Sequence, residues 1–364
     1  MKIWLPIAWL YGGIMALRNW LFDVGMLPQR EYPIPIISVG NLAVGGTGKT
    51  PHTEYLLRLL TQQHRSCGVL SRGYGRKTTG YREGKNSSPA EIGDEPWQIQ
   101  HRFPQARVCV CEKRTIGIER MSADPSLEVV ILDDAYQHRY VKPGLSILLT
   151  EYIRPYYTDY ILPAGRLRES RKGARRADVI IVTKSPAQLP EEEQRKIIKA
   201  LAPQPHQQIF FSTFVYGKLY PFSHNAQERT GTSEKEPAPA NACEQDGERL
   251  KKSALLFCGI ARPQGLIDFL RPKFSLFETI VFADHHNFSE KEIEKLAEKA
   301  RDFDYVITTE KDAARLRSYP LHKTLHDRLW VQPVEVRFLN ETHHLFNSII
   351  TNYVTAHSRN SQLD

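Results

Sequence analysis

Ile34-Pro35-Ile36-Ile37-Ser38-Val39 runs into Gly40-Asn41-Leu42-Ala43-Val44-Gly45-Gly46-Thr47-Gly48-Lys49-Thr50, and Pro51 follows. The apolar run reads as a buried strand, and the glycine-rich stretch carries the Gly-Lys-Thr end of a phosphate-binding loop that opens a helix. Backbone amides from Ala43, Val44, Gly45, Gly46, Thr47 and Gly48 would turn toward phosphate oxygens. Lys49 would reach the terminal phosphates, and the Thr50 hydroxyl would bind magnesium. The strict pattern has glycine where this chain has Ala43. A plain glycine-rich turn would not require Lys-Thr at a helix start with a buried strand before it. The helix is marked by an apolar stripe at Tyr55, Leu56, Leu59 and Leu60, with Pro51 in the first turn, where it is tolerated.

Outward from this loop, apolar runs alternate with helical patterns. Residues 67–70, 107–111, 129–132, 145–149 and 179–182 read as further buried strands, an alternation that implies a parallel sheet flanked by helices. A second series of strands at 254–258, 276–282, 305–308 and 329–334 alternates with helices at 264–270, 290–303 and 311–316. The fold class expected is α/β: a P-loop NTPase-type sheet, a smaller C-terminal α/β domain and an N-terminal helix for the membrane interface. Between the two series, residues 225–252 are polar, rich in Glu, Ala and Pro, and without periodicity, which reads as a disordered insertion. The expected divisions are residues 1–28, 29–205, 206–252 and 253–364.

The chain has 364 residues, 41% hydrophobic and 25% charged, which suits two globular domains. A formal net charge of +8 points to an anionic partner without choosing among phosphate, acidic lipid and nucleic acid. No nucleic-acid-binding motif is present, and none of the residues marks an obligate protein partner. Five cysteines without C-x-x-C spacing exclude a disulfide framework and a zinc site by pattern. Residues 3–17 carry no charge before Arg18 interrupts them, too short a run to span a bilayer, which takes about 20 residues. Trp4, Trp9, Tyr11 and Trp20 suit headgroup depth, so the segment reads as an interfacial anchor, with a buried first helix as the alternative.

Val129-Val130-Ile131-Leu132 ends in Asp133-Asp134, as in a strand whose acid holds magnesium. A GTPase would have glycine three residues after that Asp, and Thr183-Lys184-Ser185-Pro186 lacks the acid that reads guanine. A partitioning ATPase would carry lysine where Val44 precedes Gly45-Gly46. Seven motifs in order resemble the tetraacyldisaccharide 4'-kinases of lipid A biosynthesis: residues 38–51, Ser-Arg-Gly-Tyr-Gly-Arg at 71–76, Gly-Asp-Glu-Pro at 93–96, 132–138, 162–169, 176–184 and Ala-Asp-His-His at 283–286. Ala135 departs from the family's usual glycine, and the polar segment 225–252 looks like a lineage insertion.

The resemblance implies transfer of the γ-phosphate of ATP, with Mg2+, to the 4'-hydroxyl of an acylated glucosamine disaccharide 1-phosphate at the cytoplasmic face of the inner membrane. Thr50 and Asp133 would hold the metal, with Asp134, Glu95 or Gln137 completing its shell directly or through water. Asp94 is the candidate general base, paired by resemblance with His285; read alone, Gly-Asp-Glu-Pro is a helix cap. Arg72, Arg76, Arg166 and Arg168 sit on glycine-bearing loops and have the guanidinium forks that suit phosphate, and His138 joins them as a substrate contact. The competing class is a membrane-tethered ATPase that switches a protein partner and phosphorylates nothing.

Overall fold

The structure is a computed structural model that describes residues 4–223, 250–284, 286–317 and 319–357. The strands are β1 (Ile36–Asn41), β2 (Cys67–Ser71), β3 (Arg82–Glu83), β4 (Arg107–Val110), β5 (Val129–Asp133), β6 (Leu145–Glu151) and β7 (Val179–Thr183). They continue with β8 (Gln208–Tyr216), β9 (Tyr220–Pro221), β10 (Leu250–Cys258), β11 (Phe274–Val281), β12 (Tyr305–Thr309), β13 (Leu329–Gln332) and β14 (Val334–Phe338). Helices of the first half are α1 (Leu5–Asp23), α2 (Lys49–Gln62), α3 (Pro89–Ile92), α4 (Asp94–Arg102), α5 (Arg114–Ser122) and α6 (Glu191–Leu201). Those of the second are α7 (Gln264–Leu270), α8 (Glu290–Lys299), α9 (Glu310–Leu316), α10 (Lys323–Arg328) and α11 (His343–Ala356).

The larger sheet runs β14-β8-β7-β6-β1-β5-β2-β4-β3 and is parallel except at its two edges, β14 and β3. Both faces of β1 are buried, with Ile37 and Val39 in one core beside Leu56, Leu57 and Leu60 of α2. A continuous apolar strand is what a sheet covered on both sides requires. The smaller sheet runs β11-β10-β12-β13-β9, antiparallel only at β9, over a core that includes Phe257, Ile293 and Val306.

Two expected boundaries are corrected. Residues 334–356 do not belong to the smaller unit: β14 pairs with β8, and Phe346, Ile350 and Val354 of α11 enter the main core. The sequence run 329–334 looked continuous, but Pro333 lacks an N–H to continue the ladder, so it breaks into β13 on one sheet and β14 on the other. Nor are residues 208–216 linker, because β8 extends the main sheet beside β7. The polar insertion lies outside the described residues apart from 250–252, which begin β10, and so does Cys243. Cys67, Cys109, Cys111 and Cys258 are buried and free.

α1 is seated on the loops after β5 and β6. The Tyr11 hydroxyl donates to the Arg168 carbonyl at 2.9 Å, Asn19 to Glu169 at 2.7 Å, and Arg139 pairs with Asp23 at 2.7 Å. Ala8 and Phe22 are buried, while Trp9 and Leu10 are 74% and 69% exposed. The helix is therefore docked by one face only. Among the described residues no helix is long and apolar enough to cross a membrane.

Candidate active site

β1 lies between β5 and β6, so the chain order reverses there and the crevice beyond its carboxyl end is the place where such sheets bind ligands. The glycine-rich loop occupies that crevice. Gly48 has φ +90° and a Cβ there would come within 2.8 Å of Phe214, so both conformation and space require glycine. Asn41 donates to Thr47 Oγ1 at 2.8 Å, Thr183 donates to the Thr47 carbonyl at 2.9 Å, and the Lys184 ammonium donates to the Gly46 carbonyl. Ala43 bridges to Leu167, and the Val44 amide donates to the Arg166 carbonyl at 2.8 Å, which leaves that amide engaged away from phosphate. His52 anchors the base of the loop between the Gly48 carbonyl at 2.7 Å and Ser212 Oγ at 3.0 Å.

Asp133 closes β5 beside α2, where Thr53 donates to its Oδ1 at 3.2 Å. Burial, reinforced by Glu95 and Asp134, pushes its carboxyl up to about 7 against the opposing pull of Lys49. Asp134 follows at φ +48°; burial would raise its carboxyl, but Lys49, Arg168 and Arg114 together hold it below the ordinary aspartate value. Opposite stands Gly-Asp-Glu-Pro. Gly93, at φ +91° and with a Cβ position 2.9 Å from the Tyr74 carbonyl, occupies the N-cap of α4. Asp94 is the first residue of α4, with Gly93 and not Asp94 at the cap position, and its carboxylate pairs with Arg315 of α9 at 2.6 Å. Glu95 pairs with Lys311 at 3.2 Å.

Asp94, Glu95, Asp133, Asp134, Gln137, His138, Arg72 and Arg168 line one cavity of about 470 Å³, and Tyr11 and Met15 of α1 form part of its wall. A larger cavity of about 550 Å³ is lined by Tyr32, Ile36, Pro143 and Tyr353 and holds none of the loop residues, so it is not the chemical site. Arg168 donates to Asp134 at 3.1 Å and to the Gln137 side-chain oxygen Oε1 at 3.3 Å, while Gln137 Nε2 donates to the Asn41 carbonyl at 2.8 Å. Gln137 is thus tied into the wall. His138 is held neutral, its pKa pushed down to about 4 by burial and by Arg114, Arg18 and Arg72. Arg166 lies at the loop's rim on Glu151 and Asp159, and the Arg76 side chain is buried, bonded to Glu112 and the Gly80 carbonyl; neither lines the cavity. His285 lies outside the described residues.

The family described as Tetraacyldisaccharide-1-P 4'-kinase matches residues 1–354. The chain belongs to this kinase family. It is 43% identical to the tetraacyldisaccharide 4'-kinase of Phocaeicola vulgatus, across 98% of this chain and 96% of that one, and 42% identical to that of Bacteroides thetaiotaomicron, across 98% and 94%. The crystal structure of LpxK from Aquifex aeolicus in complex with ATP superimposes with a TM-score of 0.71 at 27% identity, covering 97% of this chain and 99% of that one.

Two further cations, absent from the candidates read from sequence, stand at the cavity and at the phosphate loop: Arg114 and Lys184. Arg114, 3% exposed, donates to the Cys111 carbonyl at 2.8 Å and lines the cavity; burial lowers its pKa to about 10 against Asp133 and Asp134, so it stays charged, and its Nε has no partner. Lys184, the last residue of the motif at 176–184, donates to the Gly46 carbonyl of the loop and pairs with Glu151 at 2.8 Å. The magnesium reading fits the donors present. Among the described residues no group of three His, Cys, Asp or Glu is placed to hold a metal unaided. Magnesium takes one or two carboxylates plus phosphate oxygens and water, so Thr50 and the charge-crowded Asp133 suit it once nucleotide supplies the rest.

Proposed function

We propose that the 470 Å³ cavity between α4 and the end of β5 is the acceptor site of an ATP-dependent kinase. The chain transfers the γ-phosphate of ATP to the 4'-hydroxyl of a tetraacyldisaccharide 1-phosphate in lipid A biosynthesis. The observation that carries the site reading is one juxtaposition: Lys49 stands 3.7 Å from Asp134, which lines the cavity, and Asp94 lines the same cavity from α4.

Phosphoryl transfer asks mainly for positioning and charge neutralisation. The glycine-loop amides and Lys49 cradle the β- and γ-phosphates. Thr50 and Asp133 would hold Mg2+, with Asp134 and Glu95 completing its shell directly or through water, and the ion when bound would offset charge on the transferring group. Asp94 accepts the proton of the sugar hydroxyl, help worth about 10²–10⁴-fold for a well-placed base. Arg72, Arg114 and Arg168 make the cavity electropositive, which suits the substrate's phosphate, and neutral His138 can donate one hydrogen bond there.

The lipid arrives from the membrane surface. α1 walls the cavity with Tyr11 and Met15 and leaves Trp9, Leu10, Ile14 and Leu17 exposed, with Trp4 exposed just before it, an apolar surface suited to the interface at the cytoplasmic side of the inner membrane. The conformational-switch ATPase has no support from family membership. The deciding experiment follows labelled γ-phosphate from ATP into a detergent-dispersed tetraacyldisaccharide 1-phosphate. Labelled lipid, lost in Lys49→Ala, supports the reading; nucleotide-dependent phosphate release with no labelled lipid refutes it.

A further inference from the structure

α9 packs along α4 and meets it with matched charges from one end to the other: Glu310 with Arg102 at 3.0 Å, Lys311 with Glu95 at 3.2 Å and Arg315 with Asp94 at 2.6 Å. The third contact differs in kind. The Arg315 side chain is 4% exposed, and its other arm donates to Asp312 Oδ1 at 2.8 Å. Asp312 is wholly buried, and its Oδ2 accepts from the Gly259 amide at 2.9 Å and from the Thr309 hydroxyl at 2.7 Å. Thr309 in turn caps α9 by accepting from the Asp312 amide. A chain of directed hydrogen bonds therefore runs from the smaller sheet, through Thr309, Asp312 and Arg315, to one oxygen of Asp94.

We propose that Arg315 is a positioning residue for phosphoryl transfer: it fixes the Asp94 carboxylate from across the two sheets, so that the base is correctly aimed only when α9 is seated on α4. The inference rests on the reading of Asp94 as the base. The physical grounds are three. A planar guanidinium held at both ends sets the direction of a carboxylate as a flexible ammonium does not. The hydrogen bond that holds the Asp94 carboxylate comes from α9 and not from its own helix. Its second oxygen, Oδ1, is left for the sugar hydroxyl by a bond made at Oδ2 and Nε. A misplacement of about 1 Å in such a group costs on the order of 10²-fold in rate. Because the two residues are 221 positions apart, neither motif reading nor local periodicity pairs them.

The test is a double-mutant cycle between Arg315→Gln and Asp94→Asn, read by labelled phosphate transfer with kcat and KM for ATP measured separately. Arg315→Gln is expected to lower kcat about 10- to 100-fold with KM for ATP unchanged within about 2-fold, and to add nothing once Asp94 is Asn. Should the glutamine variant fail to fold, Arg315→Lys enters the same cycle; it keeps the charge but cannot hold both Asp94 and Asp312, so an intermediate loss is expected, again absent in the Asn background. Equal losses in both backgrounds would mean that Arg315 acts on the fold and not through Asp94, which overturns the proposal. So would an unchanged kcat in Arg315→Gln alongside a depressed Asp94→Asn. Full activity in Asp94→Asn overturns the reading of the base itself and takes the proposal with it.

Discussion

The Lys49 ammonium lies 3.7 Å from Asp134 Oδ1, and the Arg168 guanidinium meets the same oxygen at 3.1 Å. One carboxylate thus holds the phosphate-loop lysine and a cavity arginine in register. Asp134→Asn keeps the shape but removes the charge that aligns both cations, and kcat is expected to fall about 10²-fold, the scale of losing one preorganised charge contact at a transferring group. Lys49→Ala should fall further, by at least about 10³-fold, and the double variant should be no worse than Lys49→Ala alone. Steady-state transfer of labelled phosphate checks all three.

Arg102 gathers three carboxylates from different elements: Glu54 of α2 at 2.5 Å, Glu310 of α9 at 3.0 Å and Glu335 of β14 at 3.2 Å. Burial, with Glu310 adding to it, pushes the Glu54 carboxyl up to about 7 despite Arg102. Arg102→Met leaves Glu54 and Glu310 buried without that cation, and the expected cost is about 3–5 kcal/mol. Adding Glu54→Gln should recover part of it. The penalty should also be smaller at pH 6 than at pH 8, because Glu54 is then largely neutral; thermal unfolding of the single and double variants at both pH values measures this.

The phosphate loop, the acids after β5 and the succession of strands were legible because each is a local pattern: an apolar run, then a turn, then a helix start. Even the strand ends were misplaced only slightly, as where Ile34–Val39 proves to be Ile36–Asn41. What sequence could not place was what depends on return of the chain. β14 and α11 rejoin the larger sheet after the smaller one is complete, and only pairing with β8 decides that. Arg76 and Arg72 share one motif and have equal guanidinium chemistry, yet one is buried on Glu112 and the other lines the cavity. Burial of a charged side chain is a property of the packed surroundings, which no spacing reveals. Arg114 was missed for the same reason.

The outer face of α1 should hold the chain on lipid. Burying one large apolar side chain at an interface is worth about 1.5–3 kcal/mol, so replacing Trp9 and Leu10 together by Glu should reduce vesicle binding by at least about 10²-fold. Neither residue touches the cavity, whose wall uses Tyr11 and Met15. ATP affinity should therefore be unchanged, and transfer to a fully detergent-dispersed acceptor should be reduced far less than transfer to acceptor in vesicles. Sedimentation with vesicles containing anionic lipid gives the first quantity. Binding that survives the double substitution would assign the membrane contact to another surface.

His52 supplies a pH dependence with a definite sign. The Gly48 carbonyl can only accept, so Nδ1 carries the proton and donates to it, and Nε2 accepts from the Ser212 hydroxyl. Burial lowers the ring's pKa to about 4; the Gly48 carbonyl opposes the shift and Lys184 adds to it. An unfolded histidine titrates near 6.5, so between about 6.5 and 4 the unfolded chain binds a proton that the folded chain does not. The stability due to neutral His52 is therefore fully present above about pH 6.5 and is lost as pH falls toward 4, by an amount on the order of 3 kcal/mol. His52→Asn should lower stability at pH 8 by about 1 kcal/mol through the lost Ser212 bond, yet flatten the decline between pH 6.5 and 4.5. Parallel denaturation curves across that range, in wild type and variant, would show the two lines converging; lines that stay parallel would mean that His52 is already charged in the folded chain.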